Sequence, residues 1–177
     1  MIKLISFDLQ GTISDAAYSN RFWLEHLAEH KDFFKRIGVY DDRYYDDGYW
    51  TDSLKAIMKP YSPKLNEEFL AFIETITLPK IILSTTTTAF IELELGEKQK
   101  IFNKCLSTIS DFKIAGKTPE VYEKTAKMFG VKPSEMLHIG DNMEMDIANA
   151  LRAGCKAIHY QGNTKQTIGE IVWNMKS

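Results

Sequence analysis

Residues 2–12 constrain this chain more than any other stretch. Ile2, Leu4, Ile5 and Phe7 form a short apolar run that ends in a carboxylate, Asp8. A glycine and a threonine follow at Gly11 and Thr12. A nearly continuous apolar run of this length suits a strand buried on both faces, as in parallel sheets. The loop after such a strand lies on the sheet's carboxyl edge, where α/β proteins place ligands. The chain is therefore expected to deliver Asp8 to that edge. A carboxylate there can serve as a nucleophile, a metal ligand or both.

Further along, strand-like and helix-like patterns alternate. Lys80 to Ser84 (KIILS), Cys105 to Ile109, Met136 to Ile139 and Cys155 to His159 are short apolar runs and read as strands. Phe90 to Asn103, Pro119 to Phe129 and Met145 to Ala153 carry helical spacing between them. Thr118-Pro119 is an N-cap with proline at the first helical position, and Gly130 and Gly154 are stops. Such alternation predicts a parallel sheet with helices on both faces.

The connection between the first two strands is unusual. From Asp15 to Phe72 the pattern is helical, with apolar groups at Phe22-Trp23-Leu24 and Leu27, Phe33-Phe34 and Ile37, Leu54, Ile57 and Met58, then Phe69, Leu70 and Ile73. Pro60 and Pro63 interrupt the last two groups. A connection of about sixty residues is far longer than an ordinary loop. The predicted architecture is α/β, a Rossmann-like doubly wound parallel sheet with a small α-helical cap insertion. Residues 1–14 and 77–177 are assigned to the core and 15–76 to the cap.

Charge and composition exclude some classes. Lys and Arg total 22 against 24 Asp and Glu, so the net charge is −2 and nothing resembles a nucleic-acid footprint. No apolar run approaches the ~18 residues of a membrane span. The first residues lead straight into a strand, so no secretory leader and a cytoplasmic location are expected. Cys105 and Cys155 lie far apart and form no CxxC; two free thiols suit that compartment.

The chemistry-bearing residues fall at strand ends. Asp8 follows the first strand, Ser84 and Thr85 the second, and Lys117 precedes the capped helix. Asp141 and Asp146 follow the fourth strand in the segment Gly140-Asp141-Asn142-Met143-Glu144-Met145-Asp146. In a parallel sheet all of these converge on one edge. Three neighbouring carboxylates repel unless a cation sits among them, and hard oxygen ligands select Mg²⁺. A lysine and a hydroxyl beside them can bind an anion. Nucleophile, hard cation and anion clamp together suit phosphoryl transfer, where positioning and charge stabilisation dominate.

The ordered set Asp8-Leu9-Gln10-Gly11-Thr12, Ser84, Lys117 and Gly140-Asp141 with Asp146 resembles the haloacid dehalogenase-like hydrolase superfamily. Its phosphatases carry DxDGT, a strand-end Ser or Thr, a lysine and GDxxxxD in that order. The long gap between the first two motifs is similar to members with a helical cap after the first strand. The resemblance implies that Asp8 attacks phosphorus and forms an aspartyl-phosphate. It implies Mg²⁺ ligation by Asp8, Asp141 and the backbone carbonyl of Gln10, with Asp146 acting through water or by orienting Lys117. Ser84 or Thr85 and Lys117 would hold the phosphoryl oxygens, Thr12 would brace the loop and contact substrate, and the cap would choose a small phosphorylated metabolite. The oligomeric state is left open between monomer and homodimer.

Gln10 departs from that pattern. Active phosphatases of the superfamily usually have aspartate there, protonating the leaving oxygen and then activating water. An amide does neither. Acid–base help is worth about 10²–10⁴-fold, so a slow phosphatase is one expectation. A non-catalytic relative that binds a phosphorylated ligand or a protein is the alternative. Cleavage of carbon–halogen or carbon–phosphorus bonds is a third reading; the latter would need a Schiff-base lysine from Lys31, Lys35, Lys55 or Lys59. His26-Leu27-Ala28-Glu29-His30 matches HxxEH but reads as exposed helix histidines, and His138 as a core histidine of its strand. The aromatic and acidic stretch from Tyr40 to Trp50 is expected in a cap turn, with Tyr44, Tyr45, Tyr49 and Trp50 as candidates for a substrate-facing surface.

Overall fold

The computed structural model describes residues 1–15 and 63–176. Among them, five parallel strands form one sheet: β1 (Leu4–Phe7), β2 (Lys80–Ser84), β3 (Lys104–Ser107), β4 (Met136–Gly140) and β5 (Lys156–His159). The strand order is β3-β2-β1-β4-β5, so the chain reverses its direction of travel across the sheet between β1 and β4. In an open α/β sheet, that switch point is where ligands bind, beyond the carboxyl ends of the two strands. Phe7 pairs with Ile82 on one side and with Ile139 on the other, which sets Asp8 beside the end of β4.

Side chains alternate between the two faces. Ile5, Phe7, Ile82 and Ile139 pack on one side with α1 (Glu67–Thr75), α2 (Thr88–Leu95) and α5 (Thr164–Lys176), through Phe69, Ile91 and Ile171. Leu4, Ile81, Leu83 and Met136 pack on the other with α3 (Pro119–Met128) and α4 (Asn149–Arg152), through Val121, Tyr122 and Ala150. This is the doubly wound α/β arrangement that the alternating pattern predicts. Phe69 anchors the first layer, edge-on to Phe7 and stacked on Tyr160, both at 5.7 Å between ring centres.

Some element boundaries differ from the sequence reading. The helix expected over 90–103 ends at Leu95, because Gly96 takes a φ of 49° and the chain continues as a 3₁₀ segment, Gly96–Ile101. The third strand runs from Lys104 to Ser107 rather than to Ile109. The Ser107 hydroxyl accepts from the N–H groups of Ile109 and Ser110, and this turns the chain out of the sheet. The helix Glu67–Thr75, placed in the 15–76 cap by its sequence position, packs in the sheet's own core through Phe69, Leu70 and Ile73. Its apolar stripe is buried against β1, and Asn66 caps it by accepting from Phe69 N–H.

Residues 16–62 lie outside the description, and with them the HxxEH match, the Tyr40–Trp50 stretch, the four lysines and the first three of the expected helices. The described residues that flank this segment come together. Ser14 bridges Leu65, Asp15 N–H donates to Lys64 O at 2.9 Å, and Asn66 N–H donates to Ile13 O at 2.8 Å. A cleft of about 470 Å³ opens at this stem, lined by Gly11, Thr12, Ser14, Lys64, Asn66 and Tyr160 among others.

Candidate active site

The site is assembled from three chain segments at the carboxyl edge of β1 and β4. Asp8 N–H donates to Ile139 O at 2.8 Å, which continues the ladder one residue past β1 and fixes the Asp8 backbone. After β4, Asn142 turns the chain, and its side chain accepts from the N–H groups of Glu144 and Met145. A π-helical turn (Met143–Ala148) follows and puts Asp146 beneath Gly140. Such turns are rare and tend to occur at functional sites.

Two glycines make this approach possible. A Cβ on Gly140 would land on the Asp146 carboxyl, and one on Gly11 would land on the Asp141 carboxyl. Gly11 also holds a φ of 86°, where any other residue is strained. The glycines of both motifs are thus required by space as well as by the backbone.

Ligand oxygens of Asp8, Asp141 and Asp146 all lie within 4.8 Å of one another. Lys117 is buried against them: its Nζ donates to Asp8 Oδ1, and to Asp146 Oδ1 at 2.5 Å. Asn149 Nδ2 donates to the Lys117 carbonyl at 2.9 Å and holds that backbone in place. With all four groups ionised, three carboxylates against one ammonium leave two negative charges in a small volume. An all-oxygen donor set with that excess fits a hard divalent cation such as Mg²⁺.

Electrostatics separates the two buried carboxylates. Burial is the largest influence on Asp8 and raises its pKa from 3.8 to about 7; Asp146 and Asp141 push the same way, and Lys117 opposes them. Burial also works to raise Asp146, but its hydrogen bond from His138 and its pairing with Lys117 outweigh it and hold that carboxyl below the ordinary range. Burial works to lower the Lys117 pKa, and the two carboxylates more than reverse it. Lys117 is thus kept as the ammonium.

His138 is buried in the sheet, as the sequence suggests, yet its ring reaches the site. Nε2 lies 3.1 Å from Asp146 Oδ1, and Nδ1 lies 2.7 Å from the hydroxyl of Ser6, its register partner on β1. Burial lowers the ring's pKa, so the imidazole is neutral. Its proton belongs on Nε2, facing a carboxylate that only accepts, and Nδ1 accepts from Ser6 Oγ. Tyr122 packs edge-on to the ring at 5.1 Å between centres. The β1–β4 register places residues 6 and 138 on one face. The pairing itself spans 132 positions and has no local signal.

The remaining predicted residues are distributed as follows. Ser84 ends β2 at the same edge, buried, and its hydroxyl accepts from Thr86 N–H at 3.3 Å; Thr85 is half-buried beside it. The Thr12 hydroxyl is buried without a hydrogen-bond partner among the described residues. The loop is also braced by its backbone and by Ser14, which the motif reading did not include: Gly11 N–H donates to Ser14 O, and Ile13 and Ser14 N–H donate to Leu9 O, each at 2.8 Å. Gln10 is held by Glu94 of α2, its Nε2 donating to Glu94 Oε1 at 2.5 Å, while Ser14 Oγ donates to Glu94 Oε2 at 2.9 Å. Both cysteines are free, and burial pushes each thiol up to about 12, which makes them poor nucleophiles.

Among solved structures, the chain is similar to a haloacid dehalogenase-like family hydrolase from Xanthomonas campestris (12% identity, 96% of this chain and 90% of that one, TM-score 0.67). It is also similar to a HAD phosphatase from Thermococcus onnurineus (17% identity, 92% and 88%, TM-score 0.68) and to a 2-haloacid dehalogenase from Pseudomonas syringae pv. Tomato DC3000 (22% identity, 92% and 89%, TM-score 0.65). At these identities the likeness is one of fold. No functionally curated protein matches the chain. The model of one family, the haloacid dehalogenase-like hydrolases, matches residues 61–154, a span that contains Ser84, Lys117, Asp141 and Asp146. With more than half of its length matched and the same fold around it, this chain belongs to the haloacid dehalogenase-like hydrolase family.

Proposed function

We propose that this hydrolase cleaves phosphoric esters of small metabolites, with Mg²⁺ as cofactor and Asp8 as nucleophile. The observation that carries the reading is the gathering of Asp8, Asp141 and Asp146 within 4.8 Å around a buried lysine. Asp8, Asp141 and the Gln10 carbonyl would hold the cation, with Asp146 orienting Lys117. When bound, the cation supplies charge stabilisation to the phosphoryl oxygens.

In the first step an Asp8 oxygen attacks phosphorus as the bond to the leaving oxygen breaks, giving an aspartyl-phosphate and an alkoxide. Lys117 balances charge on the phosphoryl group, and the buried hydroxyl of Thr12, without a partner among the described residues, can add a hydrogen bond. Water then attacks phosphorus and restores the Asp8 carboxylate. The departing phosphate carries away one of the water's protons, and the other is released to solvent, which protonates the alkoxide to the alcohol. Gln10 has no proton to give the alkoxide, so the leaving group must depart without help.

The test is hydrolysis of p-nitrophenyl phosphate and of alkyl phosphates, with and without Mg²⁺, by the natural protein and by Asp8→Asn. The expected result is Mg²⁺-dependent turnover lost in Asp8→Asn, and a rate that falls steeply as the leaving group becomes more basic. A rate indifferent to the leaving group would remove the account of Gln10. Binding of Mg²⁺ and phosphate without turnover would mark the protein as a ligand-binding member of its family.

A further inference from the structure

Glu94 sits near the end of α2, 3% exposed, with its carboxylate turned onto the loop that follows β1. It accepts from Gln10 Nε2 with one oxygen and from Ser14 Oγ with the other. A carboxylate only accepts, so the amide must present its nitrogen to Glu94, and its oxygen is turned elsewhere. A carboxylate in place of Gln10 would face the buried Glu94 as a like charge and lose the hydrogen bond that the amide donates. We infer that Glu94 is a positioning residue for Gln10: it fixes the orientation of that amide and is the reason why position 10 is uncharged. The carboxyl that relatives are expected to carry two residues after the nucleophile has its counterpart here on α2, and the two positions act as one unit.

This inference rests on the phosphatase reading for its kinetic consequence but not for its structural one, and the two are tested together. Four proteins are compared: the natural chain, Gln10→Asp, Glu94→Gln, and the exchanged pair Gln10→Asp with Glu94→Gln. Melting temperature and the kcat and KM for p-nitrophenyl phosphate with Mg²⁺ are measured for each. The exchange keeps one carboxylate and one amide, now in opposite places. Gln10→Asp by itself should melt several degrees below the natural protein and gain no activity. The exchanged pair should recover the melting temperature. Its kcat should exceed the natural value at least about tenfold, with KM nearly unchanged, since a usable carboxyl at position 10 restores part of the ~10²–10⁴-fold acid–base contribution. A residue that merely stabilised the loop would shift melting additively and leave kcat of the folded protein alone.

The inference is overturned if Gln10→Asp alone gains as much activity as the exchanged pair, or if the exchange recovers no stability. Should Gln10→Asp fail to fold, a folded exchanged pair supports the inference and an unfolded one overturns it. If all four proteins melt as expected and none hydrolyses the ester, the phosphatase reading fails and the pairing of residues 10 and 94 stands.

Discussion

Asp8 is asked to be both buried and anionic, and those demands conflict. With its carboxyl raised to about 7 from 3.8, the native state keeps a proton over that interval that the unfolded chain has released. The contribution of Asp8 to stability is therefore present below pH ~4 and lost as pH rises through ~7. At pH 8 without metal, the ionised side chain is a net cost that asparagine does not carry. Asp8→Asn is expected to melt several degrees above the natural protein at pH 8 in chelator, since about 1 kcal/mol corresponds to ~2–4 °C in a domain of this size. The gap should narrow as pH falls toward 4. Thermal melts across that range decide it: equal or lower stability of Asp8→Asn at pH 8 would contradict the burial argument. A cation between the carboxylates offsets this cost, so the same residue that weakens the metal-free protein is the one that would carry its chemistry.

At the scale of elements, the junction between β4 and the π-helical turn is tightly specified. Gly140 lies against the Asp146 carboxyl, and Asp146 in turn takes hydrogen bonds from Lys117, His138 and Asn142 N–H. Gly140→Ala should displace Asp146 and destabilise the fold by about 1–3 kcal/mol, the usual cost of overpacking. It should also lower kcat/KM by at least about tenfold, as misplacing a group by ~1 Å can cost 10²-fold. Gly169→Ala is the counterpart on α5, where an added Cβ meets nothing within 4 Å. There alanine removes a flexible residue from a helix and should stabilise by about 0.5–1 kcal/mol with activity unchanged. Chemical denaturation of the two variants beside the natural chain checks both signs. The sequence showed the glycine before Asp141 and Asp146 as a motif letter; the reason for it appears only when β4 and the turn after it are brought together.

For the whole molecule, the relevant quantity is the coupling of the cation to folding. A ligand that binds only the native state stabilises it by mass action, about 2.7 kcal/mol at a hundred times Kd. Mg²⁺ is expected to raise the melting temperature by several degrees, and chelator to reverse it. Asp141 is exposed and is a ligand candidate outside the Lys117 ion pairs, so Asp141→Asn should abolish most of this shift while keeping the buried pairs. A melting temperature indifferent to Mg²⁺ in the natural protein would leave the carboxylate cluster without its proposed occupant. Among the described residues no helix is long and apolar enough to cross a membrane.

Local pattern was enough for the strands and most of the helices. Their signals, apolar runs of strand length, Thr118-Pro119 as a cap and Gly130 and Gly154 as stops, act within a few residues of the atoms they order. It was also enough to put Asp8, Lys117, Asp141 and Asp146 on one edge, because a parallel sheet sends every strand end the same way. The pairing of Gln10 and Ser14 with Glu94, and of His138 with Ser6, joins residues 80 or more positions apart, and no periodicity records it. The same holds for α1, whose place in the chain suggested the cap and whose buried face put it in the core. Which side chains reach the edge is written in sequence order; which protons and charges they exchange there is decided by packing, since burial and a neighbour's charge exist only once the chain is folded.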